Sequence, residues 1–363
     1  MKILRKYILK ELIGPFFFSF VVFTFVMLLG NIIKLADLVI NKGVNFLSVC
    51  KLFFYMLPWL FTFTIPMAVL TGTLLSFGRL AADNEITAMR ASGISLYKLI
   101  LPLLIVGLVI SLISVELNDW ILPRLRFASR RLIVQIGVKN PTAYLEAGTF
   151  IKAFKNYIIF IYGIDKNKLT NIRIYQPQEG RPTRAIIAAK GEFDYIPEKD
   201  AIRLKLMNGT SDEPNPRDPN NFYKLNFKTY YTTLDLKEGR DMNIEKKKSD
   251  MSIAELKDEI KKLAAEGVNP APLIIEINKK ISYSFSSLIF ILIGIPLALM
   301  ARRGERTIGF GLSLCVIVLY YILLLGGEAL SIKGTLNPAL GVWLPNIILG
   351  SIGLILIFRT VEQ

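Results

Sequence analysis

Histidine is absent from the chain. With no imidazole, it can build neither a His-ligated metal centre nor a Ser-His or Cys-His catalytic pair. Cysteine is nearly absent. Cys50 and Cys315 lie on or beside apolar stretches, which excludes a disulfide framework and a C-x-x-C metal or redox site and marks both as packing residues. No G-x-x-x-x-G-K-[ST] occurs, so the chain has no P-loop to cradle a nucleotide. Charge is also missing from long stretches: Asp, Glu, Lys and Arg are lacking from Leu12–Ile33, Leu52–Phe77, Leu99–Val115, Ile281–Met300, Thr307–Gly327 and Gly334–Phe358.

What is present is grease and positive charge. The 363 residues are 52% hydrophobic with 23 Phe and a formal charge of +15, and the mean hydropathy of +0.45 is too apolar for two soluble domains. A bilayer core about 30 Å thick takes roughly 20 apolar residues in a helix, so the six charge-free runs are read as six transmembrane helices, the third with its flanks. Lys2, Arg5, Lys6, Lys10, Arg79, Arg90, Lys98, Arg302, Arg303, Arg306 and Arg359 fall on one side of this topology. The short loops opposite carry only Lys34, Lys42, Lys51 and Lys333. Both termini are therefore predicted cytoplasmic. The first apolar run is too long for a signal-peptide core and no A-x-A-like site follows it, so it reads as a retained span. Before it, Ile3, Leu4, Tyr7 and Ile8 share a face that suits an interfacial helix. Pro66 and Pro296 fall inside spans two and four, where each removes a backbone donor.

The spans are interrupted by a polar segment that three crossings from a cytoplasmic start place outside. Its short runs, Tyr157–Tyr162, Ile172–Tyr175, Ala185–Ala189, Ala201–Met207, Phe222–Phe227 and Tyr230–Leu236, are strand-like and separated by turns such as Asp165–Asn167 and Glu213–Asn220. Strands at this spacing suggest a sandwich or jelly roll. Residues 252–266 switch to helical period, opened by Ser252 and Glu255 as a capping box and closed by Gly267 and Pro270. The organisation read from this is residues 1–120 as spans one to three, 121–268 as a periplasmic all-β jelly-roll with its trailing helix 252–266, and 269–363 as spans four to six. An edge strand of such a domain is either blunted by Lys or used to pair with another chain, and the sequence leaves both open.

The most informative loop is Gly78–Lys98, GRLAADNEITAMRASGISLYK. Asp83 or Asn84 can cap a short helix near 82–93, Glu85, Ile86, Met89 and Arg90 fall at helical spacing, and Gly93 is a natural stop. An apolar pair beside exposed Glu85 and Arg90 is what a docking surface for a cytoplasmic protein needs. An inert connector is the plainer reading.

These residues carry a resemblance. The opening KILRKYILKE, the stretch LPWLFTFTIPMAVLTGTLLSFGRLAADNEITAMRASGIS, and IGIPLALMARRGERTIGFG, LYYILLLGGEAL and WLPNIILG near the end resemble the LptF/LptG family of lipopolysaccharide export permeases over essentially the whole chain, with architecture alone matching in the β domain. GRL followed by EIT and ASGIS is more similar to the LptF branch. The resemblance implies a bacterial inner-membrane location and a transporter subunit, not an enzyme. It implies a second LptF/LptG-type permease as heterodimer partner, and a dimeric cytoplasmic ABC ATPase that binds the ATP and Mg this chain does not. It also implies periplasmic jelly-roll bridge proteins, with lipopolysaccharide as cargo and no nucleic acid. Glu85 matches the acidic residue of the coupling helix, with Ile86, Met89, Arg90 and Gly93 supporting it.

Lipid A places phosphates at the outer face above its acyl chains. Lys34 and Lys42 are candidate phosphate ligands, being cations at that rim, although Lys34 also suits plain snorkelling. Spans one and five are implied as the cavity wall, with Phe25, Leu28, Ile317, Tyr320 and Tyr321 as candidates. Three rival classes stand beside this reading: an ion-coupled secondary transporter, disfavoured by spans lacking ionisable residues and by dissimilar halves; a non-transporting scaffold for periplasmic proteins; and a hydrolase with no visible nucleophile and base.

Overall fold

A computed structural model describes residues 2–139, 148, 150–154, 157–165, 168–178, 181–196, 201–215, 218–235, 246–300 and 306–362. Arg302, Arg303, Leu236 and the tips of the expected turns at 166–167 and 216–217 lie outside the described residues.

Among the described residues, six helices are long and apolar enough to cross a membrane. They are α1 (Lys2–Ile40), α2 (Phe46–Ala82), α4 (Leu96–Glu116), α7 (Ala271–Met300), α8 (Arg306–Ile332) and α9 (Pro338–Glu362). The seven-residue α3 (Glu85–Ala91) links α2 to α4. At 39 residues and 1.5 Å per residue, α1 is about 58 Å long, close to twice the hydrocarbon thickness, so it extends beyond the charge-free run at both ends. Pro66 and Pro296 lie within α2 and α7, and both helices run through them without a break.

The helices form two classes. The most apolar window of α2 is 78% buried within the chain, against 17% for α1 and 28% for α8, so α2 lies at the centre and α1 and α8 turn most of their apolar surface outward. The central packing uses small residues, as expected where lipid tails remove the hydrophobic drive between helices. A Cβ on Gly327 of α8 would sit 2.0 Å from the Gly341 carbonyl of α9, which only glycine permits.

The third crossing runs on past its apolar run. A π-helical turn, Leu117–Ile121, joins α4 to α5 (Leu122–Lys139), so the helix runs on past Glu116, which ended the charge-free stretch. After the β domain the chain returns through a 3-10 turn, Lys248–Asp250, and α6 (Ile253–Ala265). The capping box is formed: Glu255 N donates to Ser252 Oγ at 3.3 Å and Ser252 N to Glu255 Oε2 at 2.9 Å. The Lys246 ammonium, hydrogen-bonded to Glu255, holds that carboxyl below the usual carboxylate range, helped by the Ser252 amide. Asp119 of the π turn accepts from the Ile253 amide, so the start of α6 is fixed to the helical unit.

The β domain is one antiparallel sheet in chain order: β1 (Phe150–Phe154), β2 (Tyr157–Asp165), β3 (Lys168–Gln178), β4 (Arg181–Ile196), β5 (Ala201–Asn215) and β6 (Asp218–Asp235). Each strand pairs with its sequence neighbour, so among the described residues the topology is a meander. Phe222–Phe227 and Tyr230–Leu236, read as two strands, belong to the single long β6 as far as Asp235. Alternation sets the register: Ile159 faces Ile174, which faces Ile186, and Ile161 faces Ile172, which faces Ala188. These residues join Leu204, Leu206 and Leu234 in one buried cluster.

Candidate functional site

The turn into α3 is built by backbone conformation. Asn84 occupies the N-cap position at φ 55°, a left-handed geometry that Asn tolerates, and its side chain makes no cap. The helix ends at Gly93, φ 79°, where Gly93 N donates to Arg90 O at 2.9 Å and Ile94 N to Met89 O at 3.1 Å. This paired closure is the Schellman arrangement, and Met89 and Ile94 both pack on the core of the bundle.

The apolar pair of α3 faces inward. Ile86 is 6% exposed within the core and Met89 packs against the same cluster, so the two anchor the helix instead of offering a docking surface. Glu85 and Arg90 are half-buried, while Thr87, Ala88, Ala91, Ser92 and Gly93 are exposed. Glu85 Oε2 accepts a 2.8 Å hydrogen bond from Tyr7 Oη of α1. Beside it Arg79 pairs with Glu11 of α1 and, at 3.3 Å, with Asp83. The connector is thus tied to the first helix at two points. Sequence reasoning placed Tyr7 on an apolar face and missed this bond; a tyrosine hydroxyl on such a face requires a partner, and that was the available signal.

The expected cavity residues do not share a surface. Phe25 is exposed on α1 and Leu28 is half-buried. Ile317 and Tyr320 are turned into the core: Tyr320 stacks edge-to-face on Phe290 and donates to Asn346 Oδ1 at 3.1 Å. Tyr321 is half-buried with its ring 6.1 Å from Phe63. The outward face of α8 carries Leu314, Val318, Leu319, Ile322 and Leu325 instead. The helical period explains the error, since Ile317 and Val318 differ by about 100° around the helix and sequence alone does not say which faces inward. Lys34 is exposed, and Lys42 is half-buried 3.9 Å from Asp37.

About 35 Å along α2 from α3, measured from Trp59 to Ala82, lies a polar cluster that the sequence did not reveal. Lys280 of α7 is 7% exposed, and its ammonium donates to the Asn118 carbonyl in the π turn at 2.9 Å. The Asn118 amide accepts from Thr62 Oγ1 at 2.9 Å and donates to Ser114 O at 2.9 Å and Ser284 Oγ at 3.1 Å. Lys279 pairs with Glu328 of α8 at 2.8 Å. A cavity of about 150 Å³ opens beside these groups, lined among others by Trp59, Arg126, Glu276 and Tyr283. The two lysines immediately precede the charge-free run at Ile281, so they read as a boundary. Yet α7 begins at Ala271 and embeds them.

The chain is similar to the lipopolysaccharide export system permease protein LptG of Escherichia coli K12, 27% identical over 216 residues. That match covers 58% of this chain and 59% of the relative, so it spans a little over half the length of each. LptF of the same organism is 21% identical over 299 residues, 80% of this chain and 77% of the relative. LptG therefore matches more closely over less of the chain, and LptF more loosely over more. The family described as lipopolysaccharide export system permease LptF/LptG matches residues 6–359, from the amphipathic start of α1 to the end of α9. Together with six crossings and a β domain inserted between the third and fourth, a match of that extent means that this chain belongs to the LptF/LptG family of lipopolysaccharide export permeases.

Proposed function

We propose that the chain is the membrane subunit of an ATP-driven exporter that takes lipopolysaccharide from the outer leaflet of a bacterial inner membrane and delivers it to a periplasmic β bridge. The observation that carries the ATP coupling is α3. A helix of seven residues, held by Ile86 from within and by Tyr7 through Glu85, transmits force to α1, α2 and α4 together. The exposed Thr87, Ala88 and Ala91 give a partner a close approach, and Glu85 keeps free acceptor positions for a cationic donor. The positive-inside pattern supports a cytoplasmic α3 with cytoplasmic termini and a periplasmic sheet. The outward apolar faces of α1 and α8 suit a second permease and the acyl chains between the two. Lys34 at the end of the first charge-free run supplies a cation for the lipid phosphate.

Of the two edges that the sheet has among the described residues, β6 is the better bridge. It has 18 residues, against five for β1, whose register with β2 shifts between Ile151 and Phe154, and an irregular edge is a poor template for pairing. A long unpaired ladder is what strand addition requires.

A mild-detergent pull-down of the whole complex, with mass spectrometry of retained proteins and lipids, tests the reading. Its expected yield is a nucleotide-binding ATPase, a second permease of this family and lipopolysaccharide. Recovery of periplasmic proteins with no nucleotide-binding protein favours the scaffold instead.

A further inference from the structure

We propose that a hollow in the β sheet, on the face turned away from its buried cluster, binds an anionic sugar, either a unit of the exported glycolipid's saccharide or a free sugar phosphate. The hollow follows a crease. β2 to β5 keep one register on both sides of a row made by Tyr162, Asn171, Ala189 and Asn208, yet the pairing passes over the row itself. Ile161 faces Ile172 and Gly163 faces Thr170, while Ala188 faces Gly209 and Lys190 faces Met207. Asn171 and Asn208 stand there in left-handed conformation, φ 50° and 53°, one on each side of Ala189. Alternation slips by one residue at the row, so that Leu169 and Ile172 are both buried although three apart. Left-handed backbone is strained for a residue with a side chain, and strain of this kind gathers at functional sites.

The crease opens a cavity of about 410 Å³, lined among others by Tyr162, Asn171, Arg173, Ile187, Asn208 and Thr210. That volume falls within the roughly 300–1,000 Å³ usual for small-molecule sites. Its polar groups are unspent. The side chains of Asn171, Asn208 and Thr210 and the Tyr162 hydroxyl hydrogen-bond nothing among the described residues, whereas nearby Thr170 donates to Gly163 O and Arg184 to Ser211 Oγ. Arg173 lies over the Tyr162 ring, 5.5 Å from its centroid, a contact that leaves the guanidinium charge uncompensated. No Asp or Glu lines the cavity among the described residues. Two amides, each both donor and acceptor, and two hydroxyls match adjacent hydroxyls on a sugar ring, and Ile187 offers apolar contact to the C–H face of that ring. The guanidinium fork selects a phosphate or carboxylate carried by it. Tyr162, Asn171, Arg173, Ile187 and Asn208 are exposed, so an acyl chain would gain little burial here. The glycolipid source rests on the exporter reading; sugar binding by the sheet does not.

The test is a titration of the intact purified complex, in a detergent and buffer free of sugar and phosphate, followed by ligand-observed NMR. One arm adds glucose 6-phosphate, and the other adds the core oligosaccharide of lipopolysaccharide freed of its lipid by mild acid. Glucose and inorganic phosphate are the controls. Saturable binding in the oligosaccharide arm alone assigns the site to the exported glycolipid, in the glucose 6-phosphate arm alone to a free sugar phosphate, and in both to an anionic sugar whatever its source. Arg173→Gln should weaken binding of the saturating probe about tenfold while leaving the weaker binding of glucose unchanged, a selective loss that misfolding cannot produce. Asn208→Gly keeps the left-handed backbone and removes the amide, and should weaken sugar binding about fivefold with the sheet intact. The proposal is overturned if neither probe saturates, if both variants bind as the wild type does, or if inorganic phosphate binds as tightly as glucose 6-phosphate. Because the assay reads sugar binding and not export, its failure leaves the exporter reading intact, and failure of that reading leaves the glucose 6-phosphate arm standing.

Discussion

Glu85 has enough acceptor capacity to serve two partners, because an ionised carboxylate offers about four lone-pair positions and Tyr7 occupies one. Glu85→Lys should abolish retention of the cytoplasmic ATPase by placing a cation where the partner needs an acceptor. The membrane unit should stay folded, since the internal loss is one hydrogen bond worth about 1 kcal/mol. Thermal unfolding beside affinity co-purification checks both halves, and normal ATPase recovery contradicts the docking role. Tyr7→Phe should keep the ATPase bound yet lower ATP-driven release per ATP hydrolysed, because α1 is then less firmly tied to α3. At the outer rim, Lys34 and Lys42 differ in a way their spacing did not disclose. Lys42 has Asp37 at 3.9 Å to offset its charge, whereas Lys34 is exposed. Lys34→Asp should therefore reduce photo-crosslinking of lipopolysaccharide more than Lys42→Asp does; equal crosslinking in both variants removes Lys34 from the site. Asn84 and Gly93 were legible in the sequence because caps and stops are local. Tyr7 and Lys280 were not, since their roles depend on contacts 78 and 162 residues away in the chain.

Among the elements, those set by local periodicity were read well. The capping box at Ser252 and Glu255, the stop at Gly267 and the strands β2 to β5 stand where alternation and turn residues put them. Charge content misled at the ends of helices. Glu116 and Asp119 closed the third apolar run, yet α5, with Arg124, Arg126, Arg130 and Arg131, carries the helix on to Lys139, because arginine is a good helix former and charge ends only the contact with lipid. In the same way Lys228 and Thr229 divided β6 in the reading, whereas Thr229 simply continues the ladder opposite Met207. β6 is also where assembly can be tested. Successive amides of a strand point to opposite sides, so of Thr232 and Thr233 one directs its N–H away from β5. Proline at that position removes an outward donor and should block capture of the bridge protein while leaving ATPase retention unchanged. Proline at the other position breaks the β5 ladder and should unfold the sheet. Bridge capture that survives an outward proline in a folded sheet assigns pairing to another edge.

For the whole molecule, the arrangement of helices bears on the source of energy. A largely buried α2 and outward-facing α1 and α8 make a chain whose apolar surface awaits company in the membrane. It contains no histidine and no P-loop motif. Lys280 and the Lys279–Glu328 pair are among the buried or half-buried charges that an ion-coupled rival would have to use, and their cluster lies at the far end of α2 from α3. The six crossings were evident from hydropathy alone, since the bilayer demands helices of a set length, and the β insertion from alternation and turn residues. Which face of α8 turns outward was not, because the period repeats on both sides and the choice rests on partners distant in sequence, such as Asn346 and Phe290. The most direct measurement of the central claim is lipopolysaccharide release from proteoliposomes holding the purified complex, followed with ATP, with a non-hydrolysable analogue and with an imposed ion gradient. The account predicts release with ATP only, lost in Glu85→Lys. Release driven by the gradient without nucleotide, or by this chain alone, would contradict it.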